Sequence, residues 1–156
     1  MINEKANTDW GKSVTAVVIK EGKVLLARHT YGGGKGKLII PGGYVNVGES
    51  PRDAVVREFL EETGITVEPK DIIGIRFNTN DWYVAFRAEY VCGVATSDND
   101  ENSEVLWVDI NEALEMDAVP GLTKKLIESA VSGKTGLCFN EYVGSTKYAP
   151  NSLFCL

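Results

Sequence analysis

The chain has 156 residues, 44% hydrophobic and 24% charged, with a formal net charge of −6. That is enough apolar material for one domain with a core, and the acidic balance argues against a nucleic acid polymer as partner. No apolar run reaches the ~18 residues needed to span a bilayer, and the polar start MINEKANTDWGKS lacks a signal-peptide core, so no membrane contact and a cytoplasmic location are expected. Cys92, Cys138 and Cys155 are odd in number and far apart, and read as small buried hydrophobes in a reducing compartment. His29 is the only histidine, which leaves Ser–His or Cys–His catalysis little to build on.

Residues 14–19 (VTAVVI) are β-rich, Glu21-Gly22-Lys23 turns the chain, and residues 24–29 (VLLARH) run back as a hairpin partner. The stretch 31–38, YGGGKGKL, fails the phosphate-loop pattern. No glycine stands five residues before Gly36, and Leu38 replaces the hydroxyl residue that would reach a metal. It reads as a mobile surface loop, or as a lid whose Lys35 or Lys37 touches phosphate.

Residues 38–41 (LIIP) lead into a glycine loop and a helix over 51–63. Ser50 suits the N-cap, Pro51 the first helical position, Asp53 the capping box, and Gly64 the left-handed residue past the end. At about 100° per residue, Val55, Val56, Phe59 and Leu60 fall in one sector of roughly 140°, a core-facing stripe. Glu58, Glu61 and Glu62 fall within roughly 100° on the other side, where like charges weaken a helix unless something binds them. Behind a loop with Gly42, Gly43 and Gly48, where backbone can approach a ligand closely, three carboxylates suit a hard cation such as Mg²⁺. A solvated acidic face is the competing reading.

Residues 72–77 and 82–92 read as strands around an Asn78–Asp81 turn. In the second, Val84, Phe86, Ala88 and Tyr90 alternate with Tyr83, Ala85, Arg87 and Glu89. Trp82 and Tyr83 stand where they could stack on a base or ribose. SDNDENSE at 97–104 resembles a calcium loop only at its start: Ser103 replaces the glycine and Asp109 the final glutamate. A loop this polar is expected to be mobile without ligand. Residues 111–116 form a helical turn and 121–131 (GLTKKLIESAV) a helix, preceded by Pro120. The expected domain is 1–134. The tail 135–156 is too apolar for disorder, and packs on the same domain or on a partner subunit, a homodimer in the second case.

Gly43, five residues, Glu49, seven residues, then Arg57-Glu58-Phe59-Leu60-Glu61-Glu62-Thr63-Gly64-Ile65 resembles the complete Nudix box. Eight residues at fixed spacing make a chance match improbable. The resemblance implies the Nudix fold, an α/β/α sandwich with a mixed central sheet. It implies metal-dependent hydrolysis, with Mg²⁺ or Mn²⁺, of a nucleoside diphosphate derivative, a small-molecule nucleotide. Glu58, Glu61 and Glu62, with the Gly42 carbonyl, would hold the metal. Glu49 and Arg57 would brace the loop against the helix. Gly43 would admit substrate, and Glu58 or a loop glutamate would take a proton from water. Glu101 and Glu104 both precede Trp107 suitably for that last role, and the sequence does not choose between them.

Two other classes remain. A nucleotide-binding regulatory module on the same fold would usually have lost metal ligands, which are intact here. An isoprenoid diphosphate isomerase would want a cysteine in the strand before the box, and LIIPGGY has none. For the substrate, no proline lies between Pro69 and Pro120 to mark an ADP-ribose hydrolase, and the NADH-type SQPWPFPxS signature is missing. Tyr83 lies where dinucleoside polyphosphate hydrolases often have a tyrosine.

Overall fold

The computed structural model describes residues 11–134, 136–149 and 151–156. The first hairpin forms as expected: β1 (Gly11–Lys20) and β2 (Lys23–His29) are antiparallel, with Ile19 opposite Val24. Glu21 and Gly22 take φ of 51° and 76° between them, a two-residue turn whose twist matches the strands. β3 (Leu38–Ile39) pairs with β2, and β4 (Gly42–Tyr44) with the first half of β1.

β5 (Thr66–Phe77) and β6 (Asp81–Cys92) make the long central hairpin. β5 begins at Thr66 rather than near residue 72, because its Pro69 stretch still pairs with β6 across register shifts. β6 runs parallel to β1, so the sheet is mixed. β7 (Asn102–Asp109) pairs with β2, and β9 (Ser152–Cys155) lies between β5 and β8 (Cys138–Asn140). The path is β3-β2-β1-β6-β5-β9-β8, with β4 beside β1 and β7 beside β2.

Helices cover both faces of this sheet. Val14, Ala16 and Val18 of β1 meet Ala54, Val55 and Phe59 of α1 (Pro51–Thr63) in one core. Val17, on the other face, joins Ala113 of α2 (Ile110–Glu115) and Leu126 and Ile127 of α3 (Gly121–Val131) in the second. Side-chain alternation along a strand sends neighbours to opposite faces, so one apolar strand feeds two cores. Each buried Leu or Phe contributes about 1.5–3 kcal/mol. Among the described residues no helix is long and apolar enough to cross a membrane.

The helix caps sit where the sequence put them. The Asp53 amide donates to Ser50 Oγ at 3.1 Å, and Gly64, at φ 70°, donates its amide to the Leu60 carbonyl. The stripe does not. Ala54, Val55, Glu58, Phe59, Glu62 and Thr63 are the buried residues, whereas Val56 is half-buried and Leu60 is 54% exposed. The helix is rolled so that Glu58 and Glu62 lie inside its buried arc, over β4, rather than on an outer face. Cys92 also departs from expectation. It is exposed at the end of β6, while Cys155 is buried.

Candidate active site

The site begins with the roll of α1. Glu58 and Glu62 are one turn apart, 9% and 4% exposed, and each has an oxygen within 4.8 Å of the other and of a Glu101 oxygen. Glu101 comes from the loop before β7. Asn102, fully buried, donates its side-chain amide to the Glu62 carbonyl at 2.8 Å and so ties that loop to the last turn of α1. Thr30 donates its amide to the Glu101 carbonyl at 3.1 Å from the other side. The loop also bonds to itself: Asp98 Oδ1 accepts from the amides of Asp100 and Asn102, and Ser97 Oγ donates to the Asn102 carbonyl. It is therefore a built turn rather than the loose acidic run that its polarity suggested.

Glu101 and Glu104 differ in surroundings. Glu104, on β7 opposite Arg28, accepts from Arg28 Nε at 2.9 Å. Glu101 stands with the two helix glutamates. Glu61 lies outside this trio, 59% exposed, with Arg57 Nη1 at 3.2 Å.

Arg57 is the brace between loop and helix. Its Nε and Nη2 reach the two oxygens of Glu49 at 2.7 and 3.0 Å, Nη2 also reaches the Tyr44 carbonyl at 2.9 Å, and Nη1 donates to Glu58 at 2.8 Å. The bidentate pair fixes direction as well as distance. Hydrogen bonding to Arg57, with help from the Asn46 amide, holds the Glu49 carboxyl down at about 2. Gly43 makes the close approach possible. A Cβ there would lie 2.5 Å from the Glu58 carboxylate, a distance no side chain could occupy.

Glu62 is electrostatically costly as it stands. Burial pushes its pKa well above the usual carboxylate range, the contact with Glu101 and the charge of Glu58 add to this, and only the Gly42 amide works the other way. Three clustered carboxyl oxygens, with no nitrogen or sulfur among them, form a hard donor set. A divalent cation would relieve both the desolvation and the mutual repulsion, so these residues fit a Mg²⁺-like ion.

Beside the cluster, and sharing Gly43 and Tyr44 with it, is a pocket of about 260 Å³. Ile39, Pro120, Leu122 and Leu126 give it apolar walls, and Ser13, Arg76, Asp81 and Tyr83 a polar end. Tyr83 faces this pocket. Trp82, its neighbour, points to the opposite side of the strand, half-exposed and edge-on to Phe77 at 5.4 Å. Lys35 and Lys37 are exposed on the glycine-rich loop, whose base is tied by His29 N–H to the Lys37 carbonyl and Gly36 N–H to the His29 carbonyl. Sequence reasoning missed Asn102, Arg76 and Asp81. Their weight comes from contacts across 40 residues for Asn102–Glu62 and from a turn-spanning pair for Arg76–Asp81, and no local pattern marks either.

Comparison with known proteins gives a consistent picture. A family model described as "NUDIX domain" matches residues 9–129. A protein of Vibrio atlanticus named NAD-capped RNA hydrolase NudC is 31% identical over 125 residues, 76% of this chain and 44% of that protein. A MutT-like protein of Streptomyces ambofaciens is 37% identical over 105 residues, 66% of each. The chain thus spans about half to two thirds of these curated relatives. The crystal structure of a MutT protein from Methanosarcina mazei Go1 matches with 32% identity and a TM-score of 0.65, over 80% of this chain and 94% of that one.

Proposed function

The chain belongs to the Nudix family, and from that premise we propose that it hydrolyses the diphosphate linkage of a nucleoside diphosphate derivative or nucleotide, with Mg²⁺ or Mn²⁺ held by Glu58, Glu62 and Glu101. The observation that carries this reading is the convergence of those three carboxylates under the Gly42–Gly43 strand, with Glu62 desolvated. The Gly42 carbonyl and Glu61, which lies outside the trio, are proposed as further oxygen donors.

When bound, the cation supplies neutralisation of the diphosphate charge and acidifies water. The residues do the rest. Glu101 takes the proton of the attacking water, and Glu58 is the alternative acceptor. A new P–O bond forms to that water while the bridging P–O bond breaks, leaving two phosphate-ended products. Arg57 keeps Glu58 aimed by tying it to Glu49 and the Tyr44 carbonyl. Gly43, without a side chain, lets the diphosphate lie against backbone. Lys35 and Lys37 meet outer phosphate oxygens, and Tyr83 lines the pocket for the attached group.

A small substrate is favoured over an RNA chain by the net charge of −6, although one relative is named for capped RNA. The deciding experiment is a panel of nucleoside triphosphates, sugar nucleotides, ADP-ribose and dinucleoside polyphosphates. Formation of the phosphate-ended products is expected to vanish in EDTA and return with excess Mg²⁺ or Mn²⁺. Undiminished turnover after exhaustive removal of metal would overturn the reading.

A further inference from the structure

Arg76 on β5 sits between the Asp81 carboxylate, with which it pairs, and the Tyr83 ring, whose centroid is 5.2 Å from its guanidinium carbon. Asp81 is fixed in turn by the Ser13 hydroxyl at 2.6 Å and by its own amide on Asn78 Oδ1 at 2.8 Å. The Arg76 side chain is 15% exposed and lines the pocket beside the carboxylates. Its charge is already offset, so the pocket offers guanidinium donors without a net positive charge. The Tyr83 phenol, pushed up to about 12 by burial, stays protonated and adds no charge. Such a wall suits an uncharged ring with acceptor atoms and offers a further phosphate nothing to neutralise it. The pocket's volume of about 260 Å³ has room for one base.

A further hold on Arg76 comes from the far end of the chain. The family match stops at residue 129, yet β9 pairs with β5 beyond it, Leu153 opposite Arg76 and Phe154 edge-on to Phe77 at 6.0 Å. Leu153 is fully buried in the same core as Leu126, itself a pocket wall. Tyr142, from the segment between β8 and β9, packs half-buried on that core near Arg76 and Asp81.

We propose that Arg76 is the specificity-determining residue of this pocket, donating to an acceptor atom of an uncharged nucleobase, and that the C-terminal hairpin holds it in position. The connection of that base to a diphosphate rests on the hydrolase reading above; the recognition of the ring does not.

The full chain in EDTA is titrated with adenosine, guanosine, cytidine and uridine, and the Arg76 Nε–H signal and the Leu122 and Leu126 methyl signals are followed by NMR. At least one nucleoside is expected to shift all of them. Arg76→Lys, which keeps a charge for Asp81 but loses the planar donors, is expected to weaken that binding roughly tenfold or more. Tyr142→Phe is expected to raise KM for the best substrate while kcat stays within about threefold, which a general loss of structure would not do. Absence of shifts with all four nucleosides at millimolar concentration overturns the proposal, and this arm needs no variant to fold. So does unchanged affinity and order of preference in Arg76→Lys, and an unchanged KM in Tyr142→Phe overturns the role given to the hairpin. Nucleoside binding of this kind without cleavage of any diphosphate would uphold the pocket and count against hydrolysis alone.

Discussion

Two glutamates carry the sharpest residue-scale consequences. Glu62 has a folded-state pKa raised above its unfolded value, so at intermediate pH the folded chain retains a proton that the unfolded chain has released. Stability without cation therefore falls as pH rises from about 4.5 toward the raised value. Glu62→Gln removes that dependence. In EDTA its melting temperature is expected to match the wild type near pH 5 and exceed it near pH 8, while hydrolysis drops roughly 10²-fold or more. Thermal melts across that range check the sign; a wild type that gains on the variant as pH rises would refute it. The acidic loop gives the second case. Glu101→Gln is expected to lower kcat roughly 10- to 10³-fold, the usual contribution of a positioned base. Glu104→Gln loses only its half-exposed pair with Arg28 and is expected to leave kcat unchanged. Glu104→Gln should stay within about ±0.5 kcal/mol in stability. Slowing by Glu104→Gln alone would move the base to that residue.

At the scale of elements, α1 and β4 act as one unit, because the helix can roll its glutamates inward only over the two glycines of that strand. Gly43→Ala would place a Cβ 2.5 Å from the Glu58 carboxylate and force either strand or glutamate away. A cost of about 1–3 kcal/mol in stability is expected from such crowding, with a loss of roughly 10²-fold in kcat from the displaced Glu58. Urea unfolding and steady-state rates measure the two separately; an unperturbed rate would show that Glu58 is not needed where it stands. The same unit shows what the sequence could and could not reveal. The caps at Ser50, Pro51 and Gly64 were legible because a cap is a local matter of one side chain and one backbone angle. The Glu49–Arg57 brace was implied by the resemblance to the Nudix box, and helical spacing put Glu58, Glu61 and Glu62 on one side, of which Glu58 and Glu62 group with Glu101. The buried arc of the helix was not legible. Val56 and Leu60 fit an apolar stripe as well as Ala54 and Thr63 do, and the choice between them is made by β4 and by Asn102, which lie outside the helix. Likewise the self-bonding of the 97–102 loop depends on Asp98 and Ser97 taking particular partners, which composition alone does not predict.

The whole molecule is a sheet whose order departs from chain order, and its last strand returns to β5, the central hairpin's outer member. That return gave no motif in the sequence, only an excess of apolar residues in a terminal stretch. In the structure it buries Leu153 completely and brings the Leu156 amide to Ser129 Oγ at 2.9 Å, while Ser129 Oγ donates to the Ile73 carbonyl. Strand, helix and tail thus share one hydrogen-bonded junction, and the tail is expected to unfold with the domain rather than before it. Leu153→Ala tests this. A leucine deleted from a tightly packed interior costs about 2–5 kcal/mol, whereas one on a detachable tail costs almost nothing. The expected result is a single transition with the unfolding free energy lowered by that amount, the midpoint lowered in proportion, and the denaturant slope unchanged. Native-state hydrogen exchange at the β9 amides should then track the global unfolding energy. Free exchange of those amides, or a Leu153→Ala variant as stable as the wild type, would show that the hairpin docks only loosely on β5.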